Sequence, residues 1–454
     1  MFDGKILQRS VPITVGPERF WDFVIYLAGF NLILLAGTFV FSLYYWHDLK
    51  GIWDAGSTIK YLLIQLDLSH ENVLAAWYSS VLLFLVAVMS GLCFLAEHQL
   101  KPTGRPSLLH YGWLIYTGVF ILLSLDEIGS LHERLGMLSS LNPLGDYPLG
   151  WVYLLTPLIL FTAVYMISFS CLHLKNSKTA LLFMIIGVFL FLSIPLQEQI
   201  EVLSWEGAVS KNLVRRPIEL LLLEEGAELF GSLMILASTV TYLNDLMNQK
   251  DSRLCIGKSL RLVFTLKNLI FFYLILFVGL GGVMHVIQQA WFHHLPGDSG
   301  TPQNWFPGVF AVLAFLLVCC CLSNHHCSSG FKYRLEHSLA IFSLFLSSYY
   351  GAGLKVWLTM SMIQDQRIDD LLYFFILTTA SALGICFILL STHWAEKITW
   401  ILWVVALSVS IFFGTPFNVN FLDFIAMAML LLATGVHFCF LSQKLYRSEL
   451  HALP

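Results

Sequence analysis

Long hydrophobic runs recur along the chain, and short polar connections separate them. About 20 consecutive apolar residues cross the hydrocarbon core of a bilayer as one α-helix. The pattern therefore predicts an all-α, polytopic transmembrane helical bundle with twelve spans. Their predicted limits are 20–45, 72–96, 110–133, 150–173, 179–203, 217–245, 264–290, 306–323, 336–359, 370–391, 398–414 and 420–442.

Basic residues in the connections predict the orientation of this bundle. Lys and Arg number seventeen on one side of the predicted spans and seven on the other. Because cytoplasmic connections carry the excess of basic residues, both termini are predicted to be cytoplasmic. The connection 248–267 is predicted to be a basic cytoplasmic linker between two six-helix membrane domains, residues 1–247 and 268–454. Residues 48–71 are predicted to form an interfacial helix on the outer leaflet.

Composition agrees with a membrane protein and excludes other classes. The chain is 57% hydrophobic and 12% charged, with a net charge of -4. Soluble domains contain roughly 25% charged residues. A basic stripe that would neutralise nucleic-acid phosphates is missing from the sequence, and so are the glycine-rich loops that bind nucleotides. Nucleic acid and nucleotides are therefore not expected as partners, whereas membrane lipid is.

Acidic residues are concentrated where such a protein tolerates them least. Of the 29 acidic residues, ten lie in or beside four predicted spans, at ends that the topology assigns to the outer leaflet. Ionisable groups inside a membrane are costly and commonly functional. These acidic residues are Glu71, Asp126, Glu127, Glu133, Glu198, Glu201, Glu219, Glu224, Glu225 and Glu228.

Helical spacing separates the acids that face the bundle from those at its rim. Asp126 and Glu133 share one face, and Glu224 and Glu228 share another. Carboxylates from several helices with an imidazole are typical of a bundle-core metal site. The sequence does not distinguish iron, zinc, manganese and calcium as the bound divalent ion. The predicted ligands of this ion are Asp126, His132, Glu133, Glu198, Glu224 and Glu228. Glu201 and His285 are predicted to lie near this site.

Three interpretations of the acids stay open. In the first, the protein is a metal-dependent enzyme that acts on a lipid or lipid-linked substrate, with Glu127 and Glu225 as candidate acid and base. In the second, it is a proton- or cation-coupled secondary transporter or channel that uses the same acids. In the third, basic residues of the 204–217 connection pair with the acids. A second membrane subunit is a further candidate partner.

Three segments resemble a known family. Glu71-Asn72 with Trp77-Tyr78-Ser79-Ser80, then Asp126-Glu127 with His132-Glu133, then Glu224-Glu225 with Glu228, are similar to hallmark segments of uncharacterised bacterial multi-pass membrane proteins. The resemblance covers about residues 20–246. The resemblance implies a location in the bacterial inner membrane, and it implies that the quoted residues act together as one unit. It implies no particular activity.

A fainter similarity connects the same region to alkaline ceramidases, which are membrane amidases. Trp77, Ser79 and Ser80 on one predicted helix, followed by Asp126 and Glu127 on the next, would take the positions of that family's polar residues. The family's zinc-binding histidine triad has no equivalent in this sequence. The similarity therefore marks these residues as substrate-site candidates without supporting zinc hydrolysis.

Overall fold

The structure is a computed structural model of the chain. It describes residues 11–13, 17–46, 64–68, 73–100, 111–129, 150–209, 218–248, 260–262, 302–323, 331–351, 366–391, 394–413 and 425–437, and at several helix ends it describes the backbone without the side chains.

Helices form at the predicted positions wherever those positions are described. A helix satisfies its own backbone hydrogen bonds, which is a requirement in lipid, so a long apolar run determines a helix locally. The described helices are α1 Pro17–Trp46, α2 Leu74–Leu100, α3 Gly112–Gly129, α4 Gly150–His173, α5 Lys178–Val209, α6 Ile218–Asn248, α7 Pro302–Ser323, α8 Phe331–Gly351, α9 Gln366–Leu390, α10 Trp394–Phe413 and α11 Ile425–His437. The predicted span 264–290 lies outside the described residues.

Two compact units make up the chain. The first unit is Gly16–Cys255, and the second unit comprises Met1–Val15 with Ile256–Pro454. The second unit contains one short antiparallel ladder, β1 Val11–Ile13 with β2 Leu260–Leu262, in which Val11 lies opposite Leu262. The hydrophobic pattern did not predict this ladder, because three residues are too few to show a strand period. The predicted domain limits at 247 and 268 stay predictions.

Five helices of the first unit are long and apolar enough to cross a membrane. Among the described residues, these candidate spans are Trp21–Ser42, Leu74–Glu97, Gly112–Gly129, Leu155–His173 and Lys178–Gln197. Large apolar side chains such as Tyr26, Phe161 and Phe189 are exposed on their outer faces, as expected of surfaces that face lipid. The chain therefore has the character of a membrane protein. The total of twelve spans and the orientation of the termini stay predictions.

Helices α2 and α6 form the centre of the first unit. Helix α2 packs against α3 and α6, and α6 also packs against α1 and α5. Small residues permit the closest of these approaches: a Cβ atom on Gly187 would lie 2.9 Å from the carbonyl oxygen of Gly231. A buried Asn31 links three helices, since its amide donates to the Leu229 carbonyl (3.2 Å) and its Oδ1 accepts from the Tyr78 hydroxyl (2.7 Å).

Candidate functional site

One end of the first unit carries the described acids that the sequence singled out. Ser80 on α2 bonds to Ser124 near the end of α3, while Asn31 joins the start of α2 to Leu229 on α6. These contacts place Asp126 at the same end of the bundle as the first turns of α6. We call this region the acidic end; its buried and half-buried members among the described residues are Asp126, Glu127, Glu224, Glu225 and Glu228, whereas Glu219 in the first turn of α6 is exposed at its rim.

The acidic end differs in burial from residue to residue. Glu224 is 8% exposed, whereas Asp126, Glu127, Glu225 and Glu228 are half-buried. Among the residues that the structure describes, no three His, Cys, Asp or Glu side chains are arranged to hold a metal ion. Asp126, Glu224 and Glu228 therefore do not form a metal site by themselves.

The remaining predicted site residues fall beyond the described part of the chain. Glu71, Asn72, His132, Glu133 and His285 lie outside the described residues. Glu198 and Glu201 belong to α5, but their side chains are not described either. The complete predicted ligand set consequently stays a prediction.

Trp77, Ser79 and Ser80 are buried at the start of α2. The Ser80 hydroxyl donates to the Ser124 carbonyl oxygen (2.6 Å), and the Ser124 hydroxyl donates to the Ser80 carbonyl oxygen (2.8 Å). This reciprocal pair joins α2 to α3 at the level of the acidic end. The hydroxyl of Ser80 thus holds two helices together, and a substrate-binding role for these residues stays a prediction.

A short segment before α2 also enters this end of the bundle. The Thr38 hydroxyl donates to the Leu66 carbonyl oxygen (3.2 Å) and accepts from the Leu68 amide (3.0 Å). Asp67 and Gln65 are buried beside these contacts. The described part of the predicted interfacial helix, residues 64–68, therefore packs inside the first unit rather than on its surface. Asp67 was not a predicted site residue. Its position between Leu66 and Leu68 could have indicated a buried acid.

A second polar cluster lies at the opposite end of the first unit, and the sequence did not predict it. Three donors converge on Oε1 of Glu97, the last residue of its apolar span. They come from Trp113 at the start of α3 (Nε1, 2.8 Å), His173 at the end of α4 (Nε2, 2.6 Å) and Tyr242 near the end of α6 (hydroxyl, 2.7 Å). We call these four residues the Glu97 cluster.

Burial makes the Glu97 cluster chemically unusual. Glu97 is 1% exposed and Trp113 is fully buried. An indole N–H can only donate, so Oε1 accepts from Trp113, and an ionised Glu97 can accept all three hydrogen bonds at this oxygen. His173 then either donates from its neutral Nε2–H form or carries a full positive charge. The predicted helix ended at residue 96, so Glu97 was assigned to a connection. One signal in the sequence could have predicted the cluster. Glu97, His173 and Tyr242 each lie at the end of a predicted span that the topology assigns to the cytoplasmic side.

Polar residues on α6 connect the two ends. Glu228, Ser232, Thr239 and Tyr242 follow one another at intervals of four, seven and three residues, which places them on one helix face. From Glu228 to Tyr242 this face extends for about 21 Å at 1.5 Å per residue. We call it the α6 polar face.

The neighbouring helix contributes to the same interior. Cys93 on α2 donates through its thiol to the Thr239 carbonyl oxygen (3.4 Å). The hydroxyls of Ser90 on α2 and Ser232 on α6 are buried, and within the described residues neither has a hydrogen-bond partner. Buried hydroxyls normally find partners, so these two positions are suited to bind water.

A bundle of long apolar helices with ionisable side chains buried between them defines an integral membrane protein. Residues 24–243 match a family model described as a domain of unknown function, DUF8692. The matched range includes the described members of both the acidic end and the Glu97 cluster. No curated protein and no solved structure shows a significant match to the chain. The match is consistent with the predicted resemblance to an uncharacterised family over this part of the chain, while the hallmark motifs and the bacterial origin stay predictions.

Proposed function

We propose that the first unit conducts or couples protons or cations, as a secondary transporter or channel does. The observation that carries this proposal is the α6 polar face, which leads from Glu228 at the acidic end to Tyr242 in the Glu97 cluster. Ionisable residues inside transmembrane bundles commonly mark ion pathways and proton relays. An enzyme with its site at one end would not need the Ser232 hydroxyl, which is buried in the middle of α6 without a partner among the described residues.

In this proposal the Glu97 cluster is the proton-accepting station. A proton that reaches neutral His173 converts the pair from a carboxylate with a neutral ring to a carboxylate with an imidazolium. The Tyr242 hydroxyl lies 2.7 Å from Oε1 of Glu97 and 3.2 Å from Nε2 of His173. In both states Nε2 of His173 carries a proton, so the Tyr242 O–H donates to Oε1 of Glu97 while its oxygen lies within reach of the Nε2–H group. The acidic end supplies the entry station, where its carboxylates attract cations.

Proton flux into liposomes tests the proposal. Purified protein is reconstituted with a pH-sensitive dye inside the vesicles, and a potassium diffusion potential drives uptake. Glu97→Gln is expected to lower the flux by about tenfold or more, because a charge-assisted hydrogen bond contributes about 1.5–3 kcal/mol and 1.36 kcal/mol corresponds to a factor of ten. Glu228→Gln is also expected to lower the flux, because it removes the carboxylate at the entry of the α6 polar face. Glu219→Gln is the matched control, since Glu219 is an exposed acid in the first turn of the same helix.

Several outcomes would overturn this function. Wild-type vesicles that take up neither protons, Na⁺ nor K⁺ above the level of empty vesicles contradict it. Equal flux in wild type, Glu97→Gln and Glu228→Gln contradicts the assigned residues. Each variant is first checked for a monodisperse elution profile and a wild-type melting temperature, so that lost flux is not confused with lost folding.

The acidic end supports a second candidate, a metal-dependent enzyme. Its specific observation is that Glu224 is almost fully buried at the end of the bundle that also carries Asp126 and the buried Asp67. In this proposal His132, Glu133, Glu198 and Glu228 complete the ligands of a divalent iron, zinc, manganese or calcium ion, with Glu201 and His285 nearby. Glu127 and Glu225 act as acid and base on a lipid or lipid-linked substrate.

Elemental analysis of protein purified without chelators tests this second candidate. Stoichiometric divalent metal that is lost in Glu224→Gln and retained in Glu219→Gln is the expected result. Wild-type protein that contains no stoichiometric metal, even after dialysis against each of the four ions, would rule it out.

The proposed function also concerns location and partners. We propose that the chain resides in a bacterial inner membrane, with lipid as its principal partner. The exposed apolar faces of α1, α4 and α5 support the lipid contact. Membrane fractionation of the native host distinguishes the inner membrane from other membranes, and recovery in another fraction contradicts the proposal.

A further inference from the structure

The second unit contains its own buried carboxylate–histidine cluster. His437 at the end of α11 lies between Glu396 near the start of α10 and Glu336 near the start of α8. Its Nδ1 is 2.6 Å from Oε1 of Glu396, and its Nε2 is 3.2 Å from Oε1 of Glu336. The exposed fractions of Glu336, Glu396 and His437 are 0%, 5% and 2%. We call these three residues the His437 cluster.

The geometry determines how many protons the His437 cluster holds. A hydrogen bond between a ring nitrogen and a carboxylate oxygen needs one proton, and His437 makes such a bond at each nitrogen. The three groups therefore share two protons, either both on the ring or one on the ring and one on a carboxyl group. In both arrangements the three groups together carry a charge of minus one. One further proton makes them neutral.

The same geometry disfavours a metal ion. The two ring nitrogens of an imidazole point away from each other, so a metal bound to one nitrogen is out of reach of the carboxylate at the other. The absence of a metal-type group of His, Cys, Asp and Glu within the described ranges agrees with this argument. The cluster is thus built to hold protons.

Aromatic side chains enclose the ring. Phe387 on α9 lies edge to face with His437 at 5.0 Å between ring centroids, and it stacks on Trp400 of α10 at 4.5 Å. Trp400 is itself 6.3 Å from His437 and fully buried. These rings restrict water, so a net charge on the cluster is more costly than it would be in solvent. An added proton that removes net charge is favoured there.

Other titratable side chains on the helices of the second unit set the surroundings. Arg334 is exposed on α8 and Lys397 is half-buried beside Glu396 on α10. His337, one residue after Glu336, bonds through Nδ1 to the Tyr333 carbonyl oxygen. The remaining titratable residues with described side chains on helices α7, α8 and α9 are Cys319, Tyr333, Tyr349, Tyr350 and Cys386.

We propose that the His437 cluster is a proton-binding site that takes up and releases one proton at the end of α11. The proton adds to a carboxyl oxygen of Glu336 or Glu396 while both hydrogen bonds to His437 are kept, and it leaves by the same route. This site uses none of the residues of the transport proposal and lies in the other unit. Its success or failure is therefore independent of that proposal.

Infrared difference spectroscopy of the full-length protein in lipid, recorded between neutral and acidic pH, tests the site. A protonated carboxyl group gives a C=O stretching band that a carboxylate lacks, and a buried carboxyl absorbs apart from solvated ones. Wild-type protein is expected to show a buried-carboxyl band on acidification. Glu336→Gln and Glu396→Gln are each expected to lose this band. Each variant leaves one carboxylate and one imidazolium, whose net charge is already zero, so the cluster takes up no further proton.

Matched controls separate this result from general effects. His337→Gln changes a neighbouring histidine that bonds only to backbone in the described structure, and it is expected to retain the band. Glu97→Gln changes the buried carboxylate of the other unit and is also expected to retain it. The absence of a buried-carboxyl band in the wild type overturns the proposal even if no variant folds. A band that persists unchanged in both Glu336→Gln and Glu396→Gln overturns it as well.

Discussion

Tyr242 donates a 2.7 Å hydrogen bond to Glu97 across 145 residues of sequence. The bond joins α6 to α2, the two helices that form the centre of the first unit, at the end opposite the acidic end. Its position makes Tyr242 both a structural contact and the last polar group of the α6 polar face.

Removing that hydroxyl is expected to weaken the first unit. Tyr242→Phe keeps the ring packed against Trp113, 5.2 Å away between centroids, and removes one donor to a buried carboxylate. The free energy of unfolding is expected to fall by about 1.5–3 kcal/mol, measured by denaturant titration in detergent. Tyr26→Phe is the control, because Tyr26 is 75% exposed. Equal losses in the two variants would contradict an energetic role of this bond.

Ser80 and Ser124 are expected to be energetically coupled. Each hydroxyl donates to the other residue's carbonyl oxygen, so Ser80→Ala and Ser124→Ala should each cost about 1 kcal/mol. The double variant should cost less than the sum of the two, because each single variant already disrupts the shared contact. A double-mutant cycle of unfolding free energies measures this coupling. Strict additivity would show that the reciprocal pair does not act as a unit.

Gly187→Ala is expected to force α5 and α6 apart. The added Cβ would lie 2.5 Å from Cγ1 of Ile235 and 2.9 Å from the Gly231 carbonyl oxygen. Because a packed backbone cannot yield as a flexible side chain does, overpacking here should cost about 1–3 kcal/mol. Gly118→Ala provides the comparison, since nothing lies within 4 Å of its added Cβ. A wild-type melting temperature for Gly187→Ala would contradict this close helix contact.

Ser232→Ala separates a transport role from a structural one. The Ser232 hydroxyl is buried and makes no hydrogen bond to any described residue, so its removal should leave stability unchanged or raise it by about 1 kcal/mol. Under the transport proposal, however, proton flux in liposomes should fall. Ser338→Ala, at an exposed position of α8, should change neither quantity. Unchanged flux in Ser232→Ala would remove this hydroxyl from the proposed pathway.

The acidic end was predictable in part. Alternating helix directions alone predict that Asp126 and Glu224 lie at one end of the first unit. The hydrogen bonds between Ser80 and Ser124, and those of Asn31 with α2 and α6, agree with that arrangement. Helical spacing could not tell whether their side chains converge on one ion, because convergence depends on the rotation and tilt of each helix. The described carboxylates form no metal site among themselves, and the full ligand set stays a prediction.

The sequence by itself determined where the described helices lie, because a long apolar run satisfies its backbone locally and needs no distant partner to become a helix in lipid. Only the tertiary structure decided which polar groups meet. Glu97 and His173 are 76 residues apart, and Glu336 and His437 are 101 residues apart. Their pairing follows from helix packing, which the apolar pattern leaves undetermined.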